Sequence, residues 1–322
     1  YGLRPNIGMR GAHPHRSRKV ILMEDAVLIG PAPYSAPAAY YFPMFAKMEG
    51  IEVFKGPSSI KYGPNTIGGA INMVTRSIPE KDQGRLNVAY GTDNYTKTHA
   101  YYGQRRDAGG WLIDAINLQS DGFKDLDTGN DTGFSKSDIT LKGMLNSPIH
   151  ADIYQQLDVK LQYSDENSDS TYTGLTEEDF DRNPYRRYAA TDRDQMDAKH
   201  KQLMVSHYIE FSPTFTLTST LYRNEFERLW SKLNGFDSST TLNEIFSLQL
   251  IEHALEQDPE TKLSFQDWAL NDIESPKKNT LPVGITGYPQ TVNHRVIDKK
   301  LGSLALFVYL PKNHPLANSS FV

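Results

Sequence analysis

Two stretches of this 322-residue chain gather side chains whose types and spacing could do chemistry. The first is the loop after Gly11, with His13, His15, Arg16 and Arg18, followed further on by Tyr34. The second runs from Tyr172 to Arg193, where Arg182, Arg186, Arg187 and Arg193 are interleaved with Tyr172, Tyr185 and Tyr188. Guanidinium forks and phenol hydroxyls can hold an oxygen-rich anion. The second stretch has another reading, a solvated loop in which Glu177, Glu178, Asp179, Asp181, Asp192 and Asp194 balance the arginines. His13 and His15 stand at i, i+2, but a metal site needs a third defined ligand, so they read as polar loop residues. Asp125, Asp127 and Asp131 miss the third ligand position of a calcium loop and read as a turn.

Catalytic patterns are missing. The chain has no G-x-S-x-G elbow, no H-E-x-x-H and no cysteine for a thiol nucleophile or zinc cluster. Glu177 and Glu178 lie in a polar loop, where nothing would raise a carboxyl pKa for glycosidase work. Gly63 to Ala70 imitates a phosphate loop, yet Gly69 stands where the phosphate-binding lysine belongs and Ala70 where the hydroxyl belongs. A strand pattern, not a helix, follows it. The reading is a protein that is not an enzyme and that needs no cofactor. A net charge of −5 without a basic block argues against nucleic acid as a partner.

The elements that would position such residues fall into two textures. From Ile51 to Asn72 glycines at 56, 63, 68 and 69 permit positive φ or close backbone approach, while Pro57 and Pro64 fix the chain beside two of them. Strands are expected at Ile51 to Phe54 and Ala70 to Thr75. After a boundary near Ile78 to Gln83 the chain becomes strand after strand. From Ile153 to Ser164, Ile153, Leu157, Val159, Leu161 and Tyr163 share one face, and Tyr154, Gln156, Asp158, Lys160, Gln162 and Ser164 the other. One apolar face opposite a polar one suits a wall between lipid and a wet lumen. Leu86, Val88 and Tyr90, Ile139 and Leu141, Leu203, Val205 and Ile209, and Phe215, Leu217 and Leu221 repeat the pattern. Trp111 to Gln119 is ambiguous, because Asp114 sits among apolar residues on either assignment.

Connection lengths alternate. Arg105 to Gly110, Ser147 to Ala151 and Ser212 to Thr214 are short; Ser120 to Phe134, Asp165 to Asp197 and Ser231 to Asp298 are long. Outer-membrane barrels alternate in this way, with tight turns at the periplasmic rim and long loops outside. Tyr90, Tyr95, Tyr101, Tyr102, Trp111, Phe211, Phe215 and Trp230 lie near strand ends, as interfacial girdles do. No apolar run reaches the length of a membrane helix, while a barrel strand needs only about 9–11 alternating residues. The 11% aromatic content and mean hydropathy of −0.54 would suit a soluble protein as well.

The N-terminal blocks occur in a recognisable order: Asn6-Ile7-Gly8-Met9-Arg10-Gly11, then Val20-Ile21-Leu22-Met23-Glu24-Asp25, Ala32-Pro33-Tyr34, IEVFKGP from Ile51, and YGPNTIGGAIN from Tyr62. This order resembles the plug domain of TonB-dependent outer-membrane receptors, with the APY and YGP blocks most similar to the ferric-citrate receptor branch. Met9, Ala26 and Lys47 depart from the common Ile, Gly and Arg; Ala26 puts the geometry of one turn in question.

The resemblance implies an all-β transmembrane barrel of about 22 strands, of which about eight fall within this chain, around an N-terminal α+β plug. Residues 1–80 would be the plug and 81–322 the first part of the barrel, both incomplete. The implied function is active import of a ferric chelate, ferric citrate or a ferric siderophore, across the outer membrane of a Gram-negative bacterium. Iron would be bound only as transported chelate. The implied partners are TonB of the TonB–ExbB–ExbD complex, the chelate and outer-membrane lipid. Other cargoes are cobalamin, a carbohydrate or another metal chelate, and a passive porin-like barrel is the remaining alternative. Ligand contacts would come from His13, His15, Arg16, Arg18, Tyr34, Arg182, Tyr185, Arg186, Arg187 and Arg193. Arg10 would lock the plug to wall carboxylates. Gly11, Glu52, Lys55, Gly56, Pro57, Tyr62, Gly63, Pro64, Gly68, Gly69 and Asn72 form the plug's structural motif.

Overall fold

The computed structural model describes residues 3–14, 17, 19–30, 40–63, 66–171, 173–233 and, as backbone, 297–309. His15, Arg16, Arg18, Tyr34, Pro64 and Tyr172 lie outside the described residues, as do most of the third long connection and residues 310–322.

The N-terminal unit is a four-stranded sheet of β1 (Val20–Glu24), β2 (Val27–Leu28), β3 (Met48–Phe54) and β4 (Gly69–Thr75), in the order β2-β1-β4-β3. Strand β1 runs parallel to β4, and β3 antiparallel to it. All five residues of β1 are buried, because the strand is covered on both faces. Ile21 and Met23 pack with Leu28, Ala70, Phe54 and Tyr62 inside the unit. Val20 and Leu22 point the other way, into a cluster with Tyr41, Phe42 and Met73 that also takes in Met196, Ala198 and Phe226 from the second sheet. Gly69 has φ 138°, and a Cβ there would come within 2.5 Å of both the Phe54 carbonyl oxygen and the Met9 side chain. The glycine lets β3, β4 and the Met9 segment close on one another.

The second sheet is built from β5 (Gln83–Tyr90), β6 (Thr96–Arg106), β7 (Gly109–Ser120), β9 (Phe134–Asn146), β10 (Tyr154–Asp169), β12 (Gln195–Ser212), β13 (Phe215–Ser231) and β14 (Ile297–Tyr309). These eight strands lie in the order β14-β13-β12-β10-β9-β7-β6-β5. Every neighbouring pair is antiparallel. The short β8 (Asp125–Leu126) and β11 (Arg186–Arg187), from two different long connections, pair in parallel beyond the rim. One connection at that long-loop rim is brief: residues 91–95 join β5 to β6.

The two faces of this wall invert the usual rule for globular proteins. Leu141, Leu161, Leu203 and Leu221 are exposed, whereas Thr140, Lys160, Gln162, Gln202 and Asn224 on the opposite face are buried against the N-terminal unit. That is the pattern of a sheet with lipid outside and a polar, filled lumen inside. Strand β7 follows it too. Leu112, Asp114 and Ile116 face inward and Trp111 and Ile113 outward, and the strand was unreadable because both faces carry apolar residues. The expected girdle divides. Tyr90, Tyr102, Trp111 and Phe211 are exposed, with Tyr102 against Trp111 and Phe211 against Phe215 at the short-turn rim. Tyr101 is buried under Arg76, and Trp230 packs against the inner cluster; both leave the girdle for the inner face.

Candidate functional site

The polar face of the wall and the N-terminal unit meet in a buried network of charge. Lys160 of β10 donates to Glu24 Oε1 and to Asp25 Oδ2, both at 2.7 Å. Lys142 of β9 lies 3.8 Å from the same Asp25 oxygen. Lys47 of the N-terminal unit reaches Glu24 at 3.2 Å and Asp138 of β9 at 3.0 Å. Higher up, Lys136 bonds to Glu166 and to the Phe42 carbonyl, each at 2.9 Å, and Arg4 reaches the other Glu166 oxygen at 2.6 Å. Tyr41 donates to Glu24 at 3.1 Å, accepts from Gln162, and lies flat on His200 with 3.7 Å between ring centres. Near β6 and β7, Asp114 joins His99 at 2.8 Å to Arg76 at 3.4 Å.

Local sequence explains these placements. Alternation on β9 and β10 points Lys136, Asp138, Lys142, Lys160, Gln162 and Glu166 to one face. Glu24 closes β1, and the following turn is held from outside. Ala26 N donates to Asn72 Oδ1 at 2.8 Å, and Asp25 accepts from the Thr75 amide at 2.8 Å and from its hydroxyl at 2.5 Å. Burial opposes ionisation of Glu24, but Lys160 and Lys47 outweigh it and hold its pKa far below the carboxylate range. Asp25 is lowered on the same balance, burial against Lys160 and Lys142. Burial, then Glu24 and Asp138, push Tyr41 well above the usual phenol value, so it stays a donor.

A buried ion pair is nearly neutral overall, since desolvation offsets attraction, yet removing one partner costs about 3–5 kcal/mol. A seam built in this way holds the inner unit firmly when every partner is present. It can also be released without a large net loss if water enters and solvates both sides together.

The second assembly lies beyond the long-loop rim. Helix α1 (Glu177–Arg182) is capped by Thr176, whose hydroxyl accepts from the Asp179 amide at 3.2 Å. Arg186 grips Asp127 through two nitrogens, at 2.8 and 3.2 Å, and Asp179 at 3.0 Å. These contacts, the Asp127 hydrogen bond first, raise its pKa. Tyr188 donates to Asp179 at 2.7 Å and is pushed up to about 12 by burial, with that bond adding to the effect. Arg182 is exposed and pairs with Glu178 at 2.6 Å. Arg187 donates to the Pro184 carbonyl at 3.0 Å, and Tyr185 is exposed with its ring edge-on to Phe123. Arg193 is exposed. Arg186 thus staples two loops, while Arg182 and Tyr185 face outward.

On the N-terminal unit His13 is exposed. Arg10 is exposed at φ 54°, its guanidinium beside Gly56. The ion pairs described between unit and wall run instead through Arg4, Glu24, Asp25, Lys47 and Arg76. Glu52 accepts from Asn72 Nδ2 at 2.8 Å, and Tyr62 packs on Phe54 with Lys61 over its ring. Lys136, Lys142 and Lys160 are what sequence reasoning passed over as functional. The signal was there, since each is a long cation on the polar face of an alternating strand. Among the described residues no three His, Asp or Glu side chains are grouped to hold a metal.

Residues 1–70 match the family described as TonB-dependent Receptor Plug Domain. The vitamin B12 transporter BtuB of Photobacterium profundum is 25% identical over 173 residues, which are 52% of this chain and 27% of that protein. The ferric citrate transporter FecA, in its unliganded form, superimposes with a TM-score of 0.61 at 19% identity, over 72% of this chain and 35% of that one. The siderophore receptor PiuA from Acinetobacter baumannii gives 0.53 at 15%, over 74% and 33%. The chain therefore spans a minor part of the length of these relatives. Its fold is that of a TonB-dependent receptor, a plug seated on the inner face of a β-barrel wall.

Proposed function

We propose that the chain is the plug and first part of the barrel of a receptor that binds a ferric chelate, ferric citrate or a ferric siderophore, and imports it into the periplasm. The receptor sits in the outer membrane of a Gram-negative bacterium and is driven by TonB of the TonB–ExbB–ExbD complex. One observation carries the reading: a folded plug occupies the polar face of a lipid-type wall and is held there by buried ion pairs. A path closed by a folded plug must be opened before cargo can pass, a step that a passive pore does not need. The family is one of transporters, and the chain acts on no covalent bond. The superposition with FecA supports ferric citrate as cargo, and the exposed Arg182, Tyr185 and Arg193 give an anionic chelate polar contacts at the outer rim. The similarity to BtuB supports a second cargo, cobalamin.

The test is uptake of radiolabelled ferric citrate by cells carrying the complete reading frame, with and without a working TonB, with ferric siderophores and cobalamin as comparators. Ferric-chelate uptake that appears only with TonB is expected. TonB-dependent uptake of cobalamin alone would transfer the reading to the second cargo, and uptake indifferent to TonB would make the barrel a passive one.

A further inference from the structure

We infer that Lys142 and Lys160 form an oxyanion station on the inner wall, filled by plug carboxylates at rest and by carboxylate groups of the cargo once the plug has moved. The inference rests on the import reading and narrows its cargo to a carboxylate-bearing chelate.

Lys142 and Lys160 are direct partners in the β9–β10 register. Like charges directly opposite on one face of an antiparallel pair destabilise it unless an anion lies between them. Here the anion comes from the plug. Asp25 Oδ2 is 2.7 Å from Lys160 and 3.8 Å from Lys142, and Glu24 Oε1 is 2.7 Å from Lys160. Lys142 also donates to the Thr75 carbonyl, another plug atom, at 3.4 Å. Lys136, by contrast, has a carboxylate of the wall itself, Glu166, at 2.9 Å. Among the described residues every ion pair of Lys142 and Lys160 ends on the plug. Besides Glu166, two carboxylates of β9 and β10 share their face. Asp138 is engaged by Lys47 and Thr140, and Asp158 accepts from Gln156 at 2.8 Å.

Both lysine side chains are largely shielded, at 16% and 1% exposure. Withdrawal of the β1–β2 turn would leave two adjacent ammonium groups facing the opened passage. Water can solvate them, but a solute bearing two carboxylates supplies the same pair of groups that Glu24 and Asp25 supply now. An uncharged cargo gains nothing there. The plug turn and the cargo would then compete for one site, so that cargo in transit also delays reseating of the plug.

Lys142→Gln in the complete receptor tests this, because Lys142 is the looser of the two and Lys160 keeps the turn seated. Binding of ferric citrate to chilled cells is expected to be unchanged, with TonB-dependent uptake about tenfold lower, the loss of one charge-assisted contact. Lys142→Arg should restore most of the rate. Wild-type uptake by Lys142→Gln would overturn the station. A second measurement does not depend on the cargo. With the purified complete receptor in planar bilayers, its plug loosened by urea, a potassium chloride gradient should give an anion-selective reversal potential. Lys142→Gln/Lys160→Gln should shift it toward cations. No shift would overturn the station whatever is carried. A shift in a receptor that takes up no ferric chelate would uphold the station and count against the import reading instead.

Discussion

At the scale of single residues Glu24 stands at the junction of plug and wall, one of its partners on the wall and two within the plug. It touches Lys160, Lys47 and Tyr41 at once, and no water-facing atom of it remains. Glu24→Gln keeps the shape but leaves two buried ammonium groups short of a counter-charge. The plug seat should weaken by about 3–5 kcal/mol, read as a lower urea midpoint for plug release in the complete receptor. The pH dependence has a definite sign. Glu24 and Asp25 have folded pKa values below their ordinary ones, so their contribution is fully present above the ordinary carboxylate range, about pH 4. It is lost as pH falls below that range toward the folded values. The share of the midpoint that these two carboxylates set should therefore be constant from neutrality down to mild acid and drop below about pH 4. Glu24→Gln should flatten the drop; an equal drop in both proteins would mean that other groups govern release.

At the scale of elements the β1–β2 hairpin places those carboxylates, and its turn is built against local preference. Asp25 and Ala26 have φ of 48° and 65°. The left-handed conformation costs a residue with a Cβ about 1–2 kcal/mol. The turn persists because Asn72 and Thr75 hold it from the neighbouring strand. Ala26→Gly should remove most of that strain and stabilise the plug by about 1 kcal/mol, raising the same urea midpoint without changing its pH profile. A midpoint that falls would show that the Ala26 methyl group packs in a way that outweighs its backbone strain. The sequence departure at Ala26 raised a question about this turn, and the answer lay in Asn72, 46 residues away, where no local pattern could point.

The same limit separates what was legible from what was not. Alternation made the two faces of β10 readable as far as Ser164, since Leu161 and Lys160 differ in kind and face different media, but the strand runs on to Asp169, into what reads as the long connection. It failed for β7, where Leu112 and Ile116 are buried and Trp111 and Ile113 exposed: apolar residues on both faces leave no contrast to read. Tyr101 and Trp230 misled for a related reason, because a position near a strand end does not say which face an aromatic takes. The arginines at 186 and 187 could be recognised as cations in a loop, but their partners Asp127 and Pro184 come from folding that loop and its neighbour together. The plug's glycines were legible because positive φ and close approach are demands on the backbone itself, as at Gly69.

At the scale of the whole molecule the organising fact is the inverted wall, and it makes neighbouring residues answer to different solvents. Leu161 and Gln162 are adjacent near the middle of β10, one 46% and the other 5% exposed. If the exposed face is the lipid face, Leu161→Arg brings a charge to the bilayer interior and should cost the complete receptor about 2–4 kcal/mol of membrane stability. That cost would be seen as a lower fraction of heat-modifiable, folded protein after insertion into vesicles. Gln162→Leu makes the opposite change on the opposite face. It removes the donor to Tyr41 and leaves membrane insertion intact, so its defect should appear in plug release and not in assembly. A soluble sheet would reverse these outcomes, because an arginine on a water-exposed surface is harmless. Equal folding yields for Leu161→Arg and wild type would thus refute the lipid-facing assignment, and with it the reading of this sheet as a barrel wall.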